Sequence, residues 1–417
     1  MQTPRRTTRV RLKQVLAYAL YCGAAVYVLV ELSFSTLYAT GLISLPPTVY
    51  VIEDTGGTVQ FDPISGYRLA RTPSRQAQVT FGELEYIGVL RGNNQGFADR
   101  DDFGPQRNKP GCRRLAVFGD SFTAAQYLAM NWPDKLEDIA EQEGVCIELP
   151  NFAIDGGGLA NWWSILTRLI APEEYQLDGI IFAVYADDLV RDFYIAEHRG
   201  YQQHTFNYIP SWDPETWPKT LEEARPLLDH RYGNILPPDT FDQAIKGKWR
   251  PAQPPRPWRP YVALKAASLL SAIADRLKSA LSVDAVSAAV LPPDDLFAPG
   301  QQRFIEEIAG YARARSIPVL VVAVPDRGPL LFNAATKRPL GETGFVRQDI
   351  IAFAERLSAD FVDGSEPFVG LDQDAIRAHW LPYDTHWGQA GSDRFAAFMF
   401  DVIQEWGQTR VREDAQE

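Results

Sequence analysis

The chain has 417 residues, of which 46% are hydrophobic and 12% aromatic, enough for one large or two moderate domains with a real core and incompatible with a disordered protein. Its formal net charge is −12, yet Arg5, Arg6, Arg9, Arg11 and Lys13 place +5 in the first 13 residues, so the remainder carries −17 once that +5 is taken off the total. So acidic a globular part argues against nucleic acid as a partner.

Residues 15–30, "VLAYALYCGAAVYVLV", carry no charge; Glu31 follows, and "LSFSTLY" extends the run to about residue 38. Roughly 20 residues at 1.5 Å rise cross a bilayer, so an uncleaved transmembrane anchor is expected over 15–38, after a basic tail at 1–14. Glu31 would lie near the far interface, where its carboxylate can reach headgroups or water. A cleaved signal peptide shares the basic start and apolar core and is the competing reading, with "LYATG" a weak cleavage site. The basic flank belongs in the cytoplasm, which places residues beyond about 40 outside the inner (cytoplasmic) membrane, in the periplasm of a Gram-negative-type cell.

Residues 39–110 are rich in Gly, Pro, Asp and Thr with short β-prone pieces such as "TVYVIED" and "LEYIGVL", and are expected to form a small β-rich lead-in. From 111 onward strand and helix patterns alternate. "RLAVFGD", "VCIELPNFA" and "LDGIIFAVYADD" read as strands, with helices over "NWPDKLEDIAEQEG", stopped by Gly144, and over "LANWWSILTRLI". The alternation predicts an α/β domain, a parallel sheet covered by helices on both faces.

The pattern breaks between about 195 and 265, an irregular insertion crowded with Trp, Tyr, Pro and charge. Such a segment either stacks sugars on its rings or wraps around its own domain. "VALKAASLLSAIADRLKSAL" restores a helical pattern. A helix and a strand at 317–324 follow, then another helix and strand in "DIIAFAERLSADFVDGSEPF" and a last amphipathic helix in "GQAGSDRFAAFMFDVIQEW". The domain is expected to end near 408, with a polar tail at 409–417. Of three cysteines, Cys22 lies in the apolar run, while Cys112 and Cys146 each precede a strand. Adjacent parallel strands entered from the same end would bring these two to disulfide distance; two ordinary buried thiols are the alternative.

Sites in an open parallel sheet form at the carboxyl ends of strands. The first strand ends on Gly119-Asp120-Ser121, the second on "NFAIDGGG", the third on "YADD", and "PYDTHWGQAG" precedes the last helix. A serine hydroxyl becomes a nucleophile when a histidine takes its proton and an acid fixes the histidine's tautomer, roles open to Ser121, His386 and Asp384. Gly119 permits a sharp turn. The N–H of Ser121 at a helix start, with that of Gly156, can donate to an oxyanion. Taken singly, Ser121 and Asp384 read equally well as helix caps and His386 as a core histidine. The remaining histidines, His198, His204, His230 and His379, lack metal-ligand spacing. There is no Walker or dinucleotide glycine fingerprint, so neither metal nor cofactor is expected.

These stretches resemble the SGNH, or GDSL, superfamily of esterases and acyltransferases. "GDSF" is similar to its first block, "NFAIDG" to its second and "DTHW" to its last, the Asp-x-His-Trp form resembling the branch related to alginate O-acetylation proteins; "NNQGFADRDD" is similar to that branch too. The resemblance covers roughly 111–408. It implies a flavodoxin-like three-layer α/β/α fold with Ser121 as nucleophile, Asp384 and His386 as its partners, Gly156 as oxyanion donor, and Asp120 and Trp387 as structural residues of the site. The third block usually ends Gly-x-Asn-Asp; here Asp187 falls where its oxyanion-binding asparagine would be, which leaves three alternatives: catalysis with the backbone donors alone, a substitute side chain such as Asn161, or a weakened or inactive site. The implied substrate is an O-acetylated envelope or extracellular polysaccharide, cleaved by water or acylated from a membrane donor protein. A non-catalytic polysaccharide-binding or scaffold protein is the alternative.

Overall fold

The computed structural model describes residues 6–39, 49–55, 57–80, 83–199, 203–232, 234–235, 238–246, 260–263, 296–337 and 347–414. Two compact units divide the chain, one of Met1–Thr48 with Arg250–Ala288, the other of Val49–Trp249 with Ala289–Glu417.

In the first unit the helix Arg6–Ala39 contains a 21-residue run, Ala17–Leu37, long and apolar enough to cross a membrane. Glu31 is buried rather than turned to headgroups or water. Its carboxylate accepts from the hydroxyls of Tyr27 (3.0 Å) and Ser35 (2.9 Å), and from the backbone N–H groups of Val262 (2.8 Å) and Ala263 (3.0 Å). Those N–H groups open a helical turn at 261–263, where no earlier residue of the turn can accept from them. The rest of the helix expected after 263 lies outside the described residues, as does the Pro-rich stretch 247–259.

The second unit is built on five strands: β6 (Arg113–Phe118), β7 (Ile147–Glu148), β8 (Gly179–Val184), β13 (Val319–Ala323) and β14 (Asp360–Asp363). All pair in parallel in the order β14-β13-β8-β6-β7, the flavodoxin-like arrangement. The pleat sends alternate residues to opposite faces. Ala116, Phe118 and Phe182 face the helices Leu159–Ile165, Pro299–Ala314 and Gln348–Leu357, whereas Leu115, Val117 and Ile181 face Trp132–Gln142 and Gln389–Asp414. The result is the expected three-layer α/β/α domain. β7 is shorter than "VCIELPNFA" suggests. Its alignment with β6 continues to Val117 and Asn151, but Pro150 has no N–H and the N–H of Leu149 donates to the Glu137 carboxylate (2.7 Å). At the entry to β6 and β7, Cys112 and Cys146 are joined as a disulfide with Cα atoms 4.6 Å apart.

The lead-in forms an antiparallel sheet of β1 (Val49–Glu53), β4 (Ser74–Thr80) and β5 (Glu83–Leu90), with β12 (Asn234–Ile235) on its edge, and a hairpin of β2 (Val59–Asp62) and β3 (Gly66–Leu69). β5 packs directly on the chain that follows the nucleophile candidate. A Cβ on Gly88 would lie 2.4 Å from the Gln126 carbonyl oxygen, so only glycine permits that approach. The insertion, expected to be irregular, contributes a three-stranded antiparallel sheet, β9 (Phe193–Arg199), β10 (Gln203–Ile209) and β11 (His230–Tyr232). Consecutive residues Phe193 to Ala196 are all buried, which erases the two-residue alternation that marks a strand in sequence. Trp217 is buried and stacks on Phe193 with ring centroids 4.0 Å apart, so this tryptophan serves its own domain.

Candidate active site

β6 ends at Phe118, and Gly119 turns the chain into a one-turn helix, Ser121–Ala124. Asp120, not Ser121, is its N-cap: the Asp120 carboxylate accepts from the Phe122 N–H (2.9 Å), which leaves the Ser121 hydroxyl free of the capping role. That hydroxyl lies 2.6 Å from Nε2 of His386. Nδ1 of His386 is in turn 2.5 Å from Oδ1 of Asp384. A carboxylate can only accept, so Nδ1 carries the ring proton and Nε2 is left to accept from Ser121. The structure thus brings Ser121, His386 and Asp384 into one hydrogen-bonded line at the carboxyl edge of the sheet.

The loop bearing the histidine is tied at both ends. Leu381 N–H donates to the His386 carbonyl (2.9 Å) and Gly388 N–H to that of His379 (2.8 Å). Trp387 is fully buried below it, edge-on to Phe122 at 5.0 Å. His379 turns away, with Nδ1 2.6 Å from the Ala375 carbonyl. Burial alone would lower the pKa of His386, but its bond to Asp384 and the charges of Asp384, Asp155 and Asp120 raise it above the ordinary histidine value. Burial opposes the Asp384 charge too, and is outweighed by His386 and a bond from Gln78, which hold this carboxyl well below the usual range.

Sequence reasoning missed the residues that fix the acid. Gln78 Nε2 donates to Oδ2 of Asp384 (3.0 Å), and Oε1 of Glu85 accepts from the backbone N–H groups of Tyr383 (2.7 Å) and Asp384 (2.6 Å). The other oxygen of Glu85 accepts from Thr80 (2.6 Å) and Gln78 (3.0 Å). The β-rich lead-in therefore shapes the acid loop. No local signal marks Glu85, because its partner Tyr383 is 298 residues away.

Gly156 sits at φ +80°, a left-handed conformation that favours glycine, and a Cβ there would meet the Tyr194 ring at 3.1 Å. The loop that carries it is held to the nucleophile turn by the Ile154 N–H, which donates to the Gly119 carbonyl (3.1 Å), an oxygen that also accepts from Trp162 Nε1 (3.0 Å). Neither the Ser121 nor the Gly156 N–H has a hydrogen-bond acceptor among the described residues. Both are therefore available to an incoming oxyanion.

Two expectations are corrected here. Asn161 is buried with its amide fully engaged, donating to the carbonyls of Ser65 and Tyr194 (2.9 Å each) and accepting from the Tyr194 N–H (3.0 Å), so it has no proton to offer an oxyanion. Asp187 points out to solvent and pairs with Arg347 (2.9 Å), so it does not face the nucleophile with a repelling charge. The residue that turns inward is its neighbour. Asp188, fully buried, accepts from the Tyr185 N–H (2.8 Å) and pairs with Arg191 (2.7 Å), which also reaches Asp120 (3.2 Å) and the Gly157 carbonyl (3.0 Å). Burial and the nearby Asp120 charge push Asp188 well above the usual carboxylate range, with Arg191 opposing. Arg191 thereby clamps the ends of β6 and β8 and the Gly156 loop together. Among the remaining histidines, His198 is buried against Glu53 (3.1 Å), and burial lowers its pKa to about 4. Among the described residues no cluster of His, Cys, Asp or Glu could hold a metal ion.

No protein-family model matches the chain, and no curated protein sequence matches it. Solved structures are similar only at low levels. The psychrotrophic esterase EstA from Pseudoalteromonas sp. is 10% identical, with 71% of this chain and 99% of that one covered and a TM-score of 0.33. The acetyl xylan esterase AlAXEase is 11% identical over 70% and 99%, with a TM-score of 0.34. The lipase/acylhydrolase from Enterococcus faecalis is 10% identical over 70% and 96%, with a TM-score of 0.33. Likeness so slight says nothing of chemistry, which rests on the residues themselves.

Proposed function

We propose that the chain is a serine-dependent acyl-ester hydrolase or acyltransferase of the SGNH type. The observation that carries this reading is the line from the Ser121 hydroxyl through His386 to Asp384, with two unpartnered backbone N–H groups nearby. His386 Nε2 takes the Ser121 proton as Oγ attacks the ester carbonyl. The N–H groups of Ser121 and Gly156 stabilise the oxyanion. The imidazolium then gives its proton to the departing alcohol, leaving an acyl-serine. Water or a second hydroxyl, deprotonated by His386, attacks that intermediate and restores Ser121.

The resemblance of "GDSF", "NFAIDG" and "DTHW" to the superfamily, and of "DTHW" to its alginate O-acetylation branch, supports an O-acetylated polysaccharide of the envelope or secreted matrix as substrate. The apolar run Ala17–Leu37 behind a basic start supports anchorage in the inner membrane, with the domain outside, where an oxidising environment would suit the Cys112–Cys146 bond. As a transferase the chain would draw its acyl group from a membrane partner protein.

A second reading, a non-catalytic polysaccharide-binding or scaffold protein, is favoured by one observation: neither Asn161 nor Asp187 supplies a side-chain oxyanion donor. A fluorophosphonate probe separates the two. Labelling of the full-length protein in detergent that disappears in Ser121→Ala supports the enzyme; absence of labelling supports the scaffold.

A further inference from the structure

Beside Gly156 lies a cavity of about 180 Å³ built largely by the lead-in and the insertion rather than by the sheet. Its wall includes the rings of Tyr67, Phe206 and Tyr208, together with Gln126 and the carboxyl of Asp155. The Tyr208 hydroxyl donates to the Gly156 carbonyl (3.0 Å), so the cavity wall and the oxyanion loop are one piece of structure.

The polar groups of this cavity are unevenly satisfied. The buried Tyr67 hydroxyl accepts twice, from Gln126 Nε2 (3.1 Å) and from the Asp155 N–H (3.1 Å). One hydroxyl has two acceptor sites and a single proton. Its proton has no acceptor among the described residues, and no described residue donates a hydrogen bond to the Asp155 carboxylate. A donor and an acceptor thus remain open in an aromatic-walled space. A hydrocarbon acyl chain would bury both unpaired, which is costly. A hydroxylated ring satisfies both and lays its C–H face on the aromatic walls, the amphipathic match that tyrosine provides.

We propose that this cavity holds a hexose ring of the acylated substrate, with Asp155 accepting from one ring hydroxyl, the Tyr67 hydroxyl donating to another, and Phe206 and Tyr208 against its C–H face. The placement of that ring next to the reacting ester rests on the reading of Ser121 as the nucleophile. Binding of the ring itself does not. The test therefore measures binding in the full-length Ser121→Ala protein, by saturation-transfer NMR with mono-O-acetylated glucose, mannose and galactose, and with methyl butyrate as the apolar ester competitor. The expected result is binding of at least one sugar that methyl butyrate does not displace and that Asp155→Asn weakens at least five-fold at an unchanged melting temperature. No sugar binding, displacement by methyl butyrate, or unchanged affinity in Asp155→Asn overturns the proposal. If Asp155→Asn lowers the melting temperature, Asp155→Ser is measured in its place on the same criterion. Fluorophosphonate labelling of the wild type is scored separately. Sugar binding without labelling refutes the catalytic reading alone, and labelling without sugar binding refutes the hexose subsite alone.

Discussion

The side-chain amide of Gln78 donates to the carboxylate of Asp384 across 3.0 Å, although the two residues are 306 positions apart. The acid next to the histidine is therefore oriented from the lead-in as well as from its own loop. In Gln78→Leu that bond is lost while the apolar replacement keeps much of the packing. A hydrogen bond to a charged group contributes about 1.5–3 kcal/mol, so kcat/KM for 4-nitrophenyl acetate should fall about 10- to 100-fold with the fold retained by circular dichroism. Unchanged turnover would show that the Asp384 loop holds its geometry without β4.

The pH dependence follows from the field around His386. Only the neutral imidazole can take the Ser121 proton, so kcat/KM rises with pH through the pKa of His386. Its neighbours raise that pKa, which places the midpoint above the ordinary histidine value of about 6.5. Asp384→Asn removes the largest of the raising influences. The midpoint should then move down and the plateau should drop by about 10³- to 10⁴-fold. A wild-type midpoint below pH 6 would contradict this arrangement of charges.

Arg191 lies between two acids, Asp188 at 2.7 Å and Asp120 at 3.2 Å. In Arg191→Met these carboxylates face each other without a counter-charge. Breaking a buried pair this way costs about 3–5 kcal/mol, to be read from urea unfolding near neutral pH. A cost below about 1 kcal/mol would mean that the clamp does not hold the site together.

By its resemblance to the SGNH blocks the sequence puts Asp187 where an oxyanion-binding asparagine is expected, and the structure turns it to solvent against Arg347. Asp187→Asn should therefore leave kcat/KM for 4-nitrophenyl acetate within about two-fold, since an exposed pair is largely screened. A gain of ten-fold or more would place residue 187 at the oxyanion after all.

Much of the domain was legible in the chain because its signals are local. The apolar run "LAVF" followed by Gly119, and the helical spacing that ends at Gly144, each declare an element by periodicity and by the residue that stops it. Strand β9 of the insertion was not legible, because Phe193 to Ala196 are all buried and burial on both faces removes the alternation that distinguishes a strand. Asp187 and Asp188 were indistinguishable in "YADD". Which of two adjacent carboxylates points inward depends on the backbone dihedrals at the end of β8 and on the position of Arg191, neither of which the two letters carry.

The sequence by itself determined the order of the elements, the apolar segment near its start and the identities of Ser121, Asp384 and His386, since turns, periodicity and residue chemistry are properties of short stretches. Only the tertiary structure decided that these three meet within hydrogen-bond distance, that Gln78 and Glu85 hold the acid, and that Asn161 is already spent on Ser65 and Tyr194. Hydrogen bonds act over about 3 Å in space irrespective of separation along the chain, so their partners are chosen by the packing of the sheet, the lead-in and the insertion together.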